Sequence, residues 1–328
     1  MRLDSHFLKL IENISLDDTR RKRVESAYVA IKELLQNDEE IKKRFVRIFL
    51  QGSYVIGTLI RPTWRKEYDI DLVLVLNLKD ASGRLFDPAK IMEWVANRIK
   101  NNGAYKDKVE SKNRCVRINY TGDFRLDVTP VHAEGTTLFA PNKDRSKEQW
   151  GPTNPEGYIS WCNAINVRTR NKFQLVTKML KHWRDVTFSK ETSPKSIMFT
   201  KLIGDFIYAE SSSVAENLSF TMKRMNAYFQ MQGTVPKIDN PALSQENLAR
   251  DWTQENYNLF REKFKNATTT AEQALNDPNE KTSIDKWQQL FKDAFPSTLS
   301  SPSAAMLGAI PATFPDRPVR PNKPGGFA

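Results

Sequence analysis

A chain of 328 residues has room for one large domain or two intimately packed ones, and its 39% hydrophobic residues can build a sizeable core. No apolar run approaches the ~20 residues that cross a bilayer, and Met1-Arg2-Leu3-Asp4-Ser5 lacks the apolar core of a signal peptide, so the expected setting is cytoplasmic, away from membranes. Two cysteines, Cys115 and Cys162, and three histidines exclude a zinc finger, while a net charge of +11 points to polyanions, either gathered in a cleft or bound on an outer surface as DNA or RNA.

Residues 19–36 carry Val24, Tyr28, Ile31 and Leu35 at helical spacing, the pattern of a long amphipathic helix. A short strand over 46–50 then delivers Gln51-Gly52-Ser53-Tyr54-Val55-Ile56-Gly57-Thr58. In this loop Gly52 lets backbone approach a polyphosphate, Ser53 adds a hydroxyl donor and Gly57 permits a second bend. Residues 70–76 form a buried strand whose entry places Asp69 and Asp71 on one face, with Ile70, Leu72 and Leu74 on the other, because strand side chains alternate. Two neighbouring carboxylates repel unless cations sit between them, and hard oxygen ligands suit Mg²⁺.

Asp87-Pro88 opens a helix through Lys100, with Pro88 at its first position and Ile91, Val95 and Ile99 on one face. The run 115–120, the turn Thr121-Gly122-Asp123 and the run 124–130 read as a hairpin that completes an α/β palm. It brings a third carboxylate, Asp127, onto the face opposite Phe124, Leu126 and Val128. A polar loop is expected over 133–152. Beyond it the pattern is helical. Asn154 either caps the turn into a helix over 158–166 or reads a base edge. Residues 169–185 direct Phe173, Val176, Leu180 and Trp183 to a core and leave Asn171, Gln174, Lys178 and Lys181 as a polar stripe. Ser193-Pro194-Lys195-Ser196 reads as an N-cap, a first-turn proline and the start of a helix to about 209, whose free N–H groups bring Ser196 to an anion. Leu218, Met222, Met225 and Phe229, then Trp252, Tyr257 and Phe260, belong to the core, and from Pro296 the chain turns rich in Pro, Ser, Ala and Gly.

The Gly52-Ser53 loop, the Asp69/Asp71 pair and Asp127 resemble the site of polymerase-beta-type nucleotidyltransferases. Thr153-Asn154-Pro155-Glu156-Gly157-Tyr158-Ile159-Ser160-Trp161, the segment from Met179 to Asp185, Lys195-Ser196, and Trp287 to Phe291 with Phe295-Pro296 narrow the resemblance to the cGAS/DncV-like nucleotidyltransferases (CD-NTases) of bacterial CBASS anti-phage defence. The resemblance implies an α+β fold: a polymerase-beta-like palm of mixed sheet and helices with an N-terminal spine helix (1–152), a helical lobe closing a nucleotide cleft (153–296) and a Pro-rich tail (297–328).

It also implies a cyclic di- or trinucleotide synthase using two Mg²⁺ ions, or Mn²⁺ in their place, held by Asp69, Asp71 and Asp127. The donor nucleotide, with ATP favoured for its abundance, would meet Gln51, Gly52, Ser53, Ser196 and Asn154, with Lys181 and Lys178 on its triphosphate unless they form an exposed basic face. Expected partners are CBASS accessory proteins, including E1/E2-like conjugation at Ala328 unless this is an ordinary terminus, and a nucleic-acid or protein activator. The competing readings are transfer onto RNA, protein or a small molecule, and an inactive nucleic-acid-binding scaffold, against which all three carboxylates argue.

Overall fold

The structure is a computed structural model that describes residues 1–62, 67–120, 122 and 124–299. The turn residues Thr121 and Asp123, the tail from residue 300 and Ala328 lie outside the described residues. Residues 1–297 form one compact unit.

The chain begins with α1 (Asp4–Ile14), α2 (Asp18–Asn37) and the single turn α3 (Glu39–Lys42), followed by β1 (Phe45–Gln51), the short α4 (Gly52–Val55) and β2 (Tyr68–Leu76). Next come α5 (Pro88–Lys100), β3 (Val109–Ser111), β4 (Val116–Asn119), β5 (Phe124–Glu134), β6 (Thr137–Pro141) and β7 (Trp150–Thr153). The strands form a seven-stranded sheet in the order β1-β2-β5-β4-β3, which β6 and β7 extend from β5. Only β2 and β5 run parallel; β1, β4 and β6 meet their neighbours antiparallel.

One face of this sheet is apolar. Leu72, Leu74, Val116, Ile118, Leu126 and Val128 pack there against Ile91, Val95 and Ile99 of α5 and Ile31 and Leu35 of α2. Asp87 starts α5 by accepting from the N–H groups of Ala89 and Lys90, with Pro88 where no amide is needed. The stretch 133–152, expected as a polar loop, contains β6 and β7 instead. Leu138 and Ala140 of β6 are buried with Val73, Val75 and Val131, because β5 runs past the expected hairpin end and pairs with β6.

The helical half follows as α6 (Pro155–Arg168), α7 (Lys172–Thr187), α8 (Ser196–Phe206), α9 (Val214–Met231), the hairpin β8 (Asp239–Asn240) and β9 (Leu243–Asn247), α10 (Gln254–Asn276) and α11 (Glu280–Phe291). Its core takes Trp183, Met222, Met225, Phe229, Phe260 and Phe264 from three of these helices. Phe7, Leu10 and Ile14 of α1 join it, Phe7 standing edge-on to Trp287 at 4.9 Å and to Phe295 at 5.1 Å. The boundary expected at 152/153 therefore does not assign every element to its core: α1 lies in the helical core and α2 on the sheet. No helix among the described residues is long and apolar enough to cross a membrane.

Candidate active site

The polar face of the sheet carries a row of side chains set by register. Gln51 of β1 lies opposite Asp71 of β2, Asp71 beside Asp127 of β5, and Asp127 opposite Arg117 of β4. Residues opposed across a ladder point to the same side, so these four share a face, and Asp69 joins them one pleat earlier. Gly52 follows Gln51 with φ +75°, and a Cβ there would collide with Oδ2 of Asp71. Only glycine lets the loop lie against the carboxylate.

A cavity of about 500 Å³ opens over this face. Gln51, Gly52, Ser53, Asp69, Asp71, Asn154, Lys181 and Ser196 line it, as the sequence reading expects. Two expected residues do not. Asp127 is turned to Arg117, whose Nε donates to Oδ1 at 2.8 Å and Nη2 to Oδ2 at 2.7 Å. Lys178 donates to Ser15 Oγ at 2.9 Å, in the wall between α7 and the α1–α2 turn.

The polar stripe of α7 is an attachment surface and not a solvated face. Gln174 Nε2 donates to Ile56 O at 3.0 Å and Lys181 Nζ to Thr58 O at 2.9 Å, tying α7 to the Gly-Ser loop. Lys181 is only 4% exposed. Burial first, and then the nearby Arg184, push its ammonium down to about 7; burial and Arg21 push Lys178 down to about 8.

The helix expected to start after Ser193 starts at Ser196, with an extended Lys195 before it and no side-chain cap. Arg184 fixes this entry: Nη1 donates to Ser196 Oγ at 2.7 Å, while Nε donates to Asp185 Oδ1 at 2.7 Å. Arg184 and Asp185 also line the cavity and were given no role from the sequence. The available signal was that Arg184 stands three residues after Lys181, one turn along the same helix face. Asn240 and Glu246 reach the cavity from β8 and β9, and no local pattern announces them. Asn154 caps α6 by accepting from Gly157 N at 2.9 Å, and its Nδ2 donates to Ala242 O at 3.0 Å, joining the palm exit to that hairpin.

The donor set of the row fits a divalent cation. Asp71 is raised to about 7, by burial first and then by the charges of Asp127 and Asp69, with Arg117 and Lys181 opposing. Such mutual repulsion among hard oxygen donors is what a dication relieves. Among the described residues no three His, Cys, Asp or Glu groups form a ready-made cage, in keeping with Asp127 being drawn to Arg117.

The chain is similar to known proteins along its whole length. The family model of the Second Messenger Oligonucleotide or Dinucleotide Synthetase domain (SMODS) matches residues 1–166. The chain is 27% identical to a cyclic AMP-AMP-AMP synthase of Acinetobacter sp., over 100% of this chain and 98% of that protein. It is 29% identical to a c-di-GMP synthase of Roseivirga ehrenbergii, over 76% and 73%. The structure of Escherichia coli MS115-1 CdnC with ATP superposes with a TM-score of 0.73 at 16% identity, covering 90% of this chain and 99% of CdnC.

Proposed function

Because the chain belongs to the SMODS family and is a cGAS/DncV-like nucleotidyltransferase that makes a cyclic oligonucleotide, we propose that it does so where Asp69 and Asp71 meet the Gly52-Ser53 loop. The reaction is nucleotidyl transfer. A 3′- or 2′-hydroxyl oxygen of one nucleotide attacks the α-phosphorus of the next. A new P–O bond forms as the bond to pyrophosphate breaks, and the hydroxyl proton passes to solvent. Repetition with the chain's own free hydroxyl closes a di- or trinucleotide ring.

CD-NTases generally work with divalent metal ions, and in our reading Asp69 and Asp71, with Asp127, hold two Mg²⁺. Bound there, a divalent ion would supply charge to acidify the attacking hydroxyl and to offset the leaving pyrophosphate. The protein's own part is positioning and charge. Gly52 brings backbone against the site and Ser53 offers a hydroxyl to a phosphate oxygen. Lys181, Arg184 and Ser196 line the cavity and suit the triphosphate, with Asp185 holding Arg184 in place. Asn154, Asn240 and Glu246 suit the base. ATP is the favoured substrate, in line with the full-length similarity to a cyclic AMP-AMP-AMP synthase. The proposed setting is anti-phage signalling, with accessory proteins of that defence as partners.

The observation that carries this reading is the register row, which gathers carboxylates from β2 and β5 on one face beside a loop that only glycine can close. Its test is the Asp69→Asn/Asp71→Asn double variant. Pyrophosphate release from nucleoside triphosphates should fall about a thousandfold or more, with circular dichroism and thermal midpoint retained. Release at the parental rate in a folded double variant would refute the assignment.

A further inference from the structure

Arg117 stands between two acids. On one side β5 offers Asp127, directly opposite in register; on the other β3 offers Glu110, also directly opposite. The guanidinium sits on Asp127 through two hydrogen bonds of 2.8 and 2.7 Å, and its Nη2 lies 3.5 Å from Asp69 Oδ1. The pair is well shielded, with side chains 20% and 10% exposed, so the fork is a strong hold. Both oxygens of Asp127 are thereby engaged, and its carboxylate is absent from the cavity wall. Glu110 meanwhile is half exposed and, among the described residues, bound by local partners, Lys112 and Asn119 Nδ2 at 2.8 Å.

We propose that Arg117 is a latch with two seats: on Asp127 it withholds the third carboxylate from divalent cations, and on Glu110 it releases that carboxylate to them. Three carboxylates without a cation would repel, and the Arg117 guanidinium, with Lys181 nearby, opposes that repulsion in the metal-free state. Two dications oversupply that charge and repel the guanidinium, which then has an acid within one strand's reach. Arg117 is in this account a positioning residue, acting through Asp127. The inference rests on the reading of Asp69, Asp71 and Asp127 as the metal-holding set.

The test is Mn²⁺ binding to nucleotide-free protein, followed by the electron paramagnetic resonance of free Mn²⁺. Arg117→Gln should bind about tenfold tighter, by loss of one charge-assisted pair that competes with the ion. Arg117→Lys, which keeps the charge but not the fork, should tighten by about threefold and carries the test if the glutamine variant does not fold. Glu110→Gln removes the second seat and should weaken binding several-fold. A fixed outer partner that merely orients Asp127 predicts the reverse for Arg117, a loss of about 10–100-fold, and no effect at Glu110; that result, or unchanged binding in all variants, overturns the latch. Asp71→Asn separates the two levels. If it loses Mn²⁺ while the Arg117 variants do not tighten, the metal assignment stands and the latch fails. If it binds Mn²⁺ like the parent, both fail.

Discussion

Lys181 is a lysine removed from water whose Nζ rests on the Thr58 carbonyl, and burial together with Arg184 holds its ammonium near 7. In the unfolded chain the same group titrates at about 10.4. Between those values the unfolded state binds a proton that the folded state does not, so stability rises with pH across that window, by up to about 1.4 kcal/mol per pH unit. Below about 7 both states are protonated and the contribution is constant. Lys178, pushed down to about 8, acts with the same sign over a narrower window. Urea unfolding of the nucleotide-free protein between pH 7 and 9.5 should show this rise, and Lys181→Met should reduce its slope. An equal slope in the variant would mean that Lys181 keeps its proton in the fold. At this scale the carboxylates were legible because a strand's period of two needs no knowledge of neighbours. Arg117 was not, since a lone arginine in Val-Arg-Ile-Asn reads as an outward residue until β5 is placed beside it. The burial of Lys181 was hidden for the same reason: what covers that face of α7 is a loop more than a hundred residues earlier in the chain.

Among the elements, the β1–α4 junction sets the tightest constraint. Gly52→Ala imposes two penalties, a left-handed backbone at φ +75° and a Cβ driven into the Asp71 carboxylate. The first costs about 1–2 kcal/mol, and the second displaces a carboxylate that we propose holds the metal ions, so pyrophosphate release should fall about a hundredfold or more. Gly83→Ala is the matched control: φ is +81° and nothing lies within 4 Å of its Cβ. It should lose similar stability and keep its activity. Equal activity in the two variants would show that the approach of Gly52 to Asp71 is not needed. Elements whose ends are written in local chemistry could be read directly. The expected start and end of α5 match those observed because Asp87 and Pro88 cap it themselves. β6 is not legible locally because its partner is the far end of β5, and β7 because its partner is β6. The start of α8 shifted because Arg184, from another helix, grips Ser196 and the Pro194 carbonyl.

For the whole molecule, the cavity exists because two cores meet around one loop. The sheet core positions the acids, and the helical core, which includes α1, positions Lys181, Arg184 and Ser196. Gln174 and Lys181 bind the helical side to the residues that follow Ser53, and Asn154 binds the palm exit to β8–β9. The α+β division was visible in the change of periodicity near residue 154. The crossing of α1 into the helical core was not, because an amphipathic helix carries no record of which core it joins. In our proposal this assembly closes nucleotides into a ring on the acids of the sheet. The direct measurement is incubation of the purified protein with Mg²⁺ and four labelled nucleoside triphosphates, then phosphatase treatment and mass analysis. The expected result is a phosphatase-resistant cyclic product that contains adenine and is absent from the Asp69→Asn/Asp71→Asn protein. Products that phosphatase degrades completely, or a resistant product that persists in the double variant, would contradict it.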